Sequence, residues 1–181
     1  LIDRERWDNT VIIASIFVNP LQFGPTEDLD KYPRTIERDR QLCERAGVDV
    51  LFIPSATELG ITADRPMTSV VPPASMTSVL CGRSRVGHFQ GVATIVTKLL
   101  NLVQPDRAYF GRKDAQQLAI LRRIIADLNL ATEAIGCPIV REVSGLAYSS
   151  RNQYLSSNEK KQAVVLYRSL RQAERTFRQG D

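Results

Sequence analysis

An α/β fold built around a parallel sheet with helices on both faces, a Rossmann-like doubly wound arrangement, is the class this sequence predicts. Three observations carry that expectation. Short runs such as "VIIASIFV" (Val11 to Val18) and "VDVLFI" (Val48 to Ile53) are β-branched and almost continuously apolar, as strands covered on both faces are. These runs alternate with stretches of helical period. A chain of 181 residues, 43% of them hydrophobic, can bury one respectable core and leaves little for a second full domain.

The elements follow in order. The opening "LIDRERWDNT" lacks an initiator methionine and reads as the charged tail of a helix running into the first strand, so an upstream piece is expected. Asn19-Pro20 stops that strand. "TIERDRQLCERAG" predicts a helix with Thr35 as N-cap and Gly47 closing it in left-handed geometry. "VDVLFI", closed by Pro54, completes a strand-helix-strand unit. From Ser55 to Arg85 the pattern is irregular, with Pro66, Pro72 and Pro73 and a segment "TSVV" that could be a strand. "GVATIVTKLLNLVQ" then places Val92, Ile95, Val96, Leu99 and Val103 on one helical face, and Pro105 ends it.

"RAYF" is a short strand, "GRK" a tight loop, and "DAQQLAILRRIIADLNL" a helix whose buried stripe is Leu118, Leu121, Ile125 and Leu128. "TEAI" follows as a strand, so a second unit repeats the first, with right-handed crossovers. After Pro138, "IVRE" predicts a further strand. Ser156 with Glu159 three residues later is a capping-box pattern, opening a helix with Ala163, Leu166, Leu170, Ala173 and Phe177 on one face. The expected division is a ligand-binding domain over 1–156 and a C-terminal helix over 157–181.

Composition narrows the function classes. Twenty-four basic against twenty acidic residues give a net charge of +4 and a pI of about 9.2, without a polybasic run or an aromatic RNA-binding pattern. Small anions are better candidate ligands than nucleic acid. Cys43, Cys81 and Cys137 are widely spaced, odd in number and outside any CxxC pattern, which argues against a disulfide framework or a zinc site and for a reducing, cytoplasmic compartment. No apolar run approaches a membrane span, and no leader pattern opens the chain.

In open parallel sheets, ligands bind beyond the carboxyl ends of the strands. Asn19 and Gln22, after the first strand, offer uncharged amides suited to orienting hydroxyl or carboxylate groups; Asn-Pro is equally an ordinary turn opener. In "FGRKDAQQL", Gly111 permits close backbone approach, Lys113 carries a mobile charge and Asp114 begins a helix whose amides favour anions. The loop lacks Walker A spacing, and Asp114 as a cap with Lys113 as a solvated charge is the plain alternative. Gln117 could face the same cleft or solvent. Ser149, Ser150 and Arg151 in "SSRN" could grip a polyphosphate or form a polar turn. His88, the sole histidine, is either part of a site or a hydrogen-bonded structural residue. Its "GH" lacks the preceding histidine of a His-x-Gly-His signature.

Together, "SIFVNPLQFGPTEDLDKYPRT", "GHFQGVATIVTKLLNLVQPDRAYFG", "KDAQQL" and "GLAYSSRNQYL", in that order and separation, resemble the pantothenate synthetase (pantoate-beta-alanine ligase) family from about Val11 to Leu155. The resemblance implies a Rossmann-like nucleotidylyltransferase domain, usually homodimeric. It also implies an ATP- and Mg²⁺-dependent reaction in which pantoate becomes pantoyl adenylate and beta-alanine displaces AMP. By motif, Gln22 and Gln117 would hold pantoate, with Gln22 also near beta-alanine; Asn19 and Tyr32 would line the pocket, and His88 would lie beside it. Gly111, Arg112, Lys113 and Asp114 would form the adenosine and phosphate loop, Val140 would meet adenine through its backbone, and Tyr148, Ser149, Ser150 and Arg151 would close on the phosphates. Lys113 and Arg151 would offset anion repulsion during catalysis.

The sequence departs from the family pattern in places. The family's His-x-Gly-His motif and first strand belong before Leu1, and its small C-terminal domain is missing. Arg112 stands where Glu or Gln is common, Tyr148 where Leu or Met is usual, and "TELG" lacks a following Tyr-Pro. No base for the beta-alanine step is evident. The wording is most like cyanobacterial members, some fused to a cytidylate kinase. A non-catalytic nucleotide-binding or dimerisation module, or another nucleotidylyltransferase, stays open as an alternative.

Overall fold

Parallel pairing and helical crossovers organise the chain as expected, although the strands are shorter than their apolar runs. The computed structural model describes residues 11–62 and 64–180; the helix tail expected in "LIDRERWDNT" lies outside them. Strand β1 (Ile13–Ser15) leads through a 3-10 turn (Pro20–Gln22) and helix α1 (Ile36–Arg45) to β2 (Val50–Phe52), which pairs parallel to β1 with Ala14 opposite Leu51. Gly47, at φ 76°, makes the left-handed exit from α1. Thr35 occupies the N-cap position without capping: its hydroxyl instead meets the Asp39 carboxylate.

Two short helices, α2 (Ala74–Thr77) and α3 (Cys81–Ser84), precede the long α4 (His88–Val103). Strand β3 (Arg107–Gly111), a 3-10 turn (Arg112–Asp114), α5 (Ala115–Asp127) and β4 (Glu133–Cys137) form the second strand-helix-strand unit, with Tyr109 opposite Ile135 in parallel register. Among the described residues the four strands form two separate parallel pairs.

The core sits between α4 and α5. Phe89, Val92 and Ala93 meet Ile120, Leu121 and Ile124, with Val70, Met76, Val96 and Phe110 packed around them. The α5 stripe therefore runs through Ile120 and Ile124 rather than Ile125 and Leu128, because the helix turns that face toward α4; Leu128 is 47% exposed. Likewise, α4 begins at His88, and its buried face includes Thr94 and Thr97 beside Val92 and Ile95. The expected burial of the first strand is incomplete: Val11 and Ile13 are 57% and 41% exposed, since β1 pairs only with β2 among the described residues.

"TSVV" is not a strand. The Val70 amide donates to the Thr94 hydroxyl at 2.9 Å, and flanking prolines without N–H groups cannot support a ladder.

The chain divides into two compact units at Cys137–Pro138. In the second, "IVRE" forms no sheet strand but one side of a tight antiparallel bridge, Arg141 with Ala147, turned by Gly145 at φ 96°. A Cβ on Gly145 would enter the Tyr167 ring, and the Arg141 guanidinium lies 4.4 Å from that ring's centre. The predicted final helix is two: α6 (Ser157–Ala163), opened by the Ser156–Glu159 capping box, and α7 (Val165–Gln179). Leu166, Leu170 and Phe177 of α7 are exposed. Among the described residues no helix is long and apolar enough to cross a membrane, and Cys43, Cys81 and Cys137 are not joined in disulfides.

Candidate functional site

The turn after β1 is held in place by Asn19. Its side-chain carbonyl accepts from the Leu21 amide at 3.0 Å, capping the 3-10 turn, and its Nδ2 donates to the Gly91 carbonyl of α4 at 3.1 Å and to Gln22 Oε1 at 3.3 Å. Asn19 is 5% exposed, so its amide is fully engaged in the fold. Gly91 permits the approach: a Cβ there would collide with the Leu21 carbonyl. With Oε1 held by Asn19, the Nε2 of Gln22 makes no hydrogen bond among the described residues and keeps two donors for a ligand. Tyr32 lies in the same stretch, its ring edge-on to Phe23 at 5.9 Å.

His88, 8% exposed, opens α4 directly beneath this turn. Its Nδ1 is 2.8 Å from the Gln22 backbone carbonyl and its Nε2 is 3.0 Å from Nη1 of Arg85. Arg85 also grips both carboxylate oxygens of Glu27, at 2.6 and 2.8 Å, and its Nη2 reaches the Gln22 carbonyl at 3.4 Å. The Arg85 guanidinium hydrogen-bonded to Glu27, helped by the Gly24 amide and opposed by partial burial, holds the pKa of that carboxyl at about 2.

Beyond β3, Gly111 exits the strand at φ −68°, and no described atom lies within 4 Å of where its Cβ would be. The fold does not need glycine there, and the open space would admit a ligand to the backbone. Lys113 and Asp114 lie 3.8 Å apart and are 40% and 58% exposed. Asp114 occupies the N-cap position of α5 without a capping bond. The Arg112 Nε donates to the Gly136 carbonyl at 3.0 Å, bracing β3 to β4.

The two adjacent glutamines of α5 differ sharply. Gln116 accepts from the Cys81 amide at 3.0 Å and donates to the Met76 and Val79 carbonyls at 3.0 and 2.8 Å, clamping the α2–α3 loop. The side chain of Gln117, partly buried, makes no hydrogen bond among the described residues. The 81–88 segment is thus bonded to α5 at one end, next to Gln117, and to Gln22 at the other. A depression of about 510 Å³ at the start of β4, lined by Arg122, Asn129 and Glu133 among others, contains none of these residues.

In the second unit, the Val140 carbonyl accepts from the Tyr148 amide at 3.1 Å, and among the described residues its second lone pair and its N–H make no hydrogen bond. Ser149 caps the 3-10 turn Ser150–Tyr154, its Oγ accepting from the Arg151 amide at 3.3 Å. Tyr148 is 60% exposed. Asn152, which the motif does not single out, ties the turn down by donating to the Ala147 carbonyl at 3.0 Å.

Sequence reasoning missed Glu27, Arg85, Gly91 and Gln116. Arg85 stands three residues before His88 and Glu27 three after Gly24, but the contacts that tie Glu27 to Arg85, Gly91 to Asn19 and Gln116 to Cys81 span 35 or more positions.

The profile of the family described as pantoate-beta-alanine ligase matches residues 1–181. The bifunctional pantoate ligase/cytidylate kinase of Trichormus variabilis is 65% identical over 184 residues, covering 99% of this chain and 34% of that protein. The crystal structure of pantothenate synthetase from Thermus thermophilus superposes with a TM-score of 0.95 at 50% identity, over 99% of this chain and 64% of that one. A Francisella tularensis pantoate-beta-alanine ligase, solved in complex with a beta-gamma ATP compound and beta-alanine, superposes with a TM-score of 0.86 at 40% identity, over 94% and 65%. The chain spans about a third of the length of the curated relatives it matches.

Proposed function

This chain belongs to the pantoate-beta-alanine ligase family, and its α/β fold is that of solved pantothenate synthetases; from that premise we propose that it carries the pantoate- and ATP-handling part of an enzyme that condenses pantoate with beta-alanine. The observation that carries the reading is the uncommitted state of Gln22 and Gln117. Their neighbours Asn19 and Gln116 are engaged in holding the backbone, whereas Gln22 Nε2 and the Gln117 amide are left for a ligand. Uncharged amides can aim a hydroxy acid without pinning its nucleophilic carboxylate in an ion pair.

The pantoate carboxylate would attack the α-phosphorus of ATP, forming the acyl phosphate bond as pyrophosphate leaves. Both reactants are anions, so the step needs cationic help as water is excluded. Lys113, exposed beside Gly111, would supply it at the phosphates, with Asp114 toward the ribose. Arg112 braces the loop through its Nε on the Gly136 carbonyl, and the family motif places it with Lys113 among the proposed ATP contacts. In the second unit, Ser149, Ser150 and Arg151 are proposed as phosphate donors and the Val140 backbone and Tyr148 as adenine-side contacts, on the strength of their chemistry and the family motif. Mg²⁺ would arrive on the triphosphate as part of the substrate; among the described residues no three His, Cys, Asp or Glu side chains cluster to hold a metal. Beta-alanine's amine would then attack the acyl carbon and release AMP. A fused cytidylate kinase, a homodimeric assembly and a cytoplasmic setting belong to the same proposal, the first supported by the bifunctional names of the cyanobacterial relatives.

The test is pantoate-dependent exchange of labelled pyrophosphate into ATP by the product of the complete reading frame. Exchange is expected, with Lys113→Ala slowing it by ~100-fold, the loss typical of removing a transition-state charge contact. Absence of exchange would overturn the reading, and a chain that binds ATP without exchanging would be a binding module.

A further inference from the structure

We propose that Glu27 and Arg85 are positioning residues for the acid-binding glutamine, acting through His88 to fix the backbone of Gln22. The role rests on the proposed function, in which Gln22 contacts the hydroxy acid. An arginine side chain has donors and no acceptor, so the 3.0 Å contact between Arg85 Nη1 and His88 Nε2 requires a lone pair on Nε2. The imidazole is therefore neutral and carries its proton on Nδ1, which donates to the Gln22 carbonyl at 2.8 Å. The wrong tautomer would set two donors against each other at Nε2 and a lone pair against a carbonyl at Nδ1.

Arg85 can hold this tautomer only while its own plane is fixed. Glu27 fixes it: the carboxylate takes Nε and Nη2 side by side, and its Oε2 is itself held by the Gly24 amide at 3.1 Å. Arg85 Nη2 then adds a second, longer donor to the Gln22 carbonyl. With that carbonyl held from two sides and the Gln22 Oε1 held by Asn19, both ends of the residue are anchored and only Nε2 is left to a ligand. Asn19 and His88 both come from the fold's buried interior, so the arrangement is rigid before substrate arrives.

The test uses the complete enzyme with Glu27→Gln and Arg85→Lys. The glutamine keeps the shape but faces Arg85 with an NH₂ group, and the lysine keeps charge but cannot serve Glu27, His88 and Gln22 at once. Each variant should raise the KM for pantoate about tenfold, the effect of misplacing one hydrogen-bonding partner, while the KM for ATP stays within about twofold. ¹⁵N spectra of His88, assigned by their loss in His88→Gln, should report the Nδ1–H tautomer in the unmutated enzyme and a mixture in Glu27→Gln. An Nε2–H His88, or KM values for pantoate and ATP that rise together, would overturn the positioning role even with normal exchange. No exchange in the unmutated enzyme would instead sink the functional reading, and this role with it.

Discussion

Glu27 shows how one side chain can serve both stability and placement. Its pKa is held at about 2 against an ordinary value of 4.5, chiefly by its hydrogen bonds from Arg85. A folded value below the unfolded one means the stabilisation is complete above about 4.5 and is lost as pH falls through about 2. Side-chain exposures of 28% for Arg85 and 25% for Glu27 leave the pair partly screened by water, so a contribution of ~1–3 kcal/mol at neutral pH follows. The stability gap between the unmutated chain and Glu27→Gln should accordingly narrow by ~1–2 kcal/mol between about pH 6 and about pH 3, measured as urea midpoints. A gap that does not change with pH would show that Glu27 is not held by Arg85. Nothing local in the sequence marks this pair, because its members are 58 positions apart. The exposed Glu37–Arg40 pair on α1, three residues apart, is the kind that spacing does reveal, and it matters far less.

Packing of α4 against the Pro20–Gln22 turn depends on a missing side chain. In an exposed helix, Gly→Ala usually stabilises by ~1 kcal/mol. At Gly91 the sign should reverse, because the new methyl would strike the Leu21 carbonyl, which belongs to backbone and cannot rotate away. Gly91→Ala should cost roughly 1–3 kcal/mol in urea denaturation, the range for overpacking, and, on the proposed function, should weaken pantoate binding by moving the turn that bears Gln22. A stabilised variant would contradict this packing. Helix α6 is the opposite case, legible in the sequence alone: "SSNE" announces its capping box, since both partners lie within one turn. Helices and turns of that kind are legible for the same reason, as are the two strand-helix-strand units. Strand lengths and helix faces are less so. "TSVV" and "IVRE" have strand composition, but one bonds to a helical threonine and the other folds back on itself.

Burial is unevenly distributed over the chain, and its dynamics should follow. The residues of the central apolar cluster, Phe89, Val92, Ala93, Ile120, Leu121 and Ile124, all belong to α4 and α5. Helix α7 has no buried residue. Amide hydrogen exchange should be slowest in α4 and α5 and fastest in α7; equal protection in all three would show that α7 is covered by something absent from this chain's own packing. Local chemistry along the chain sufficed for the α/β class, the order of elements, the caps and turns, and the residue types at Gln22, Lys113 and Gln117. Hydrophobic period, turn propensity and motif spacing all act over a few residues, or over separations that a family resemblance supplies. Long-range packing alone chose which of two adjacent glutamines clamps a loop and which keeps its side-chain amide unbonded among the described residues, set Arg112 against the β4 backbone, and assembled Glu27, Arg85 and His88 around the Gln22 carbonyl. The reason is physical: those outcomes are hydrogen bonds between groups 24 to 66 positions apart, and each exists only once the α4–α5 core has brought its partners within 3.5 Å.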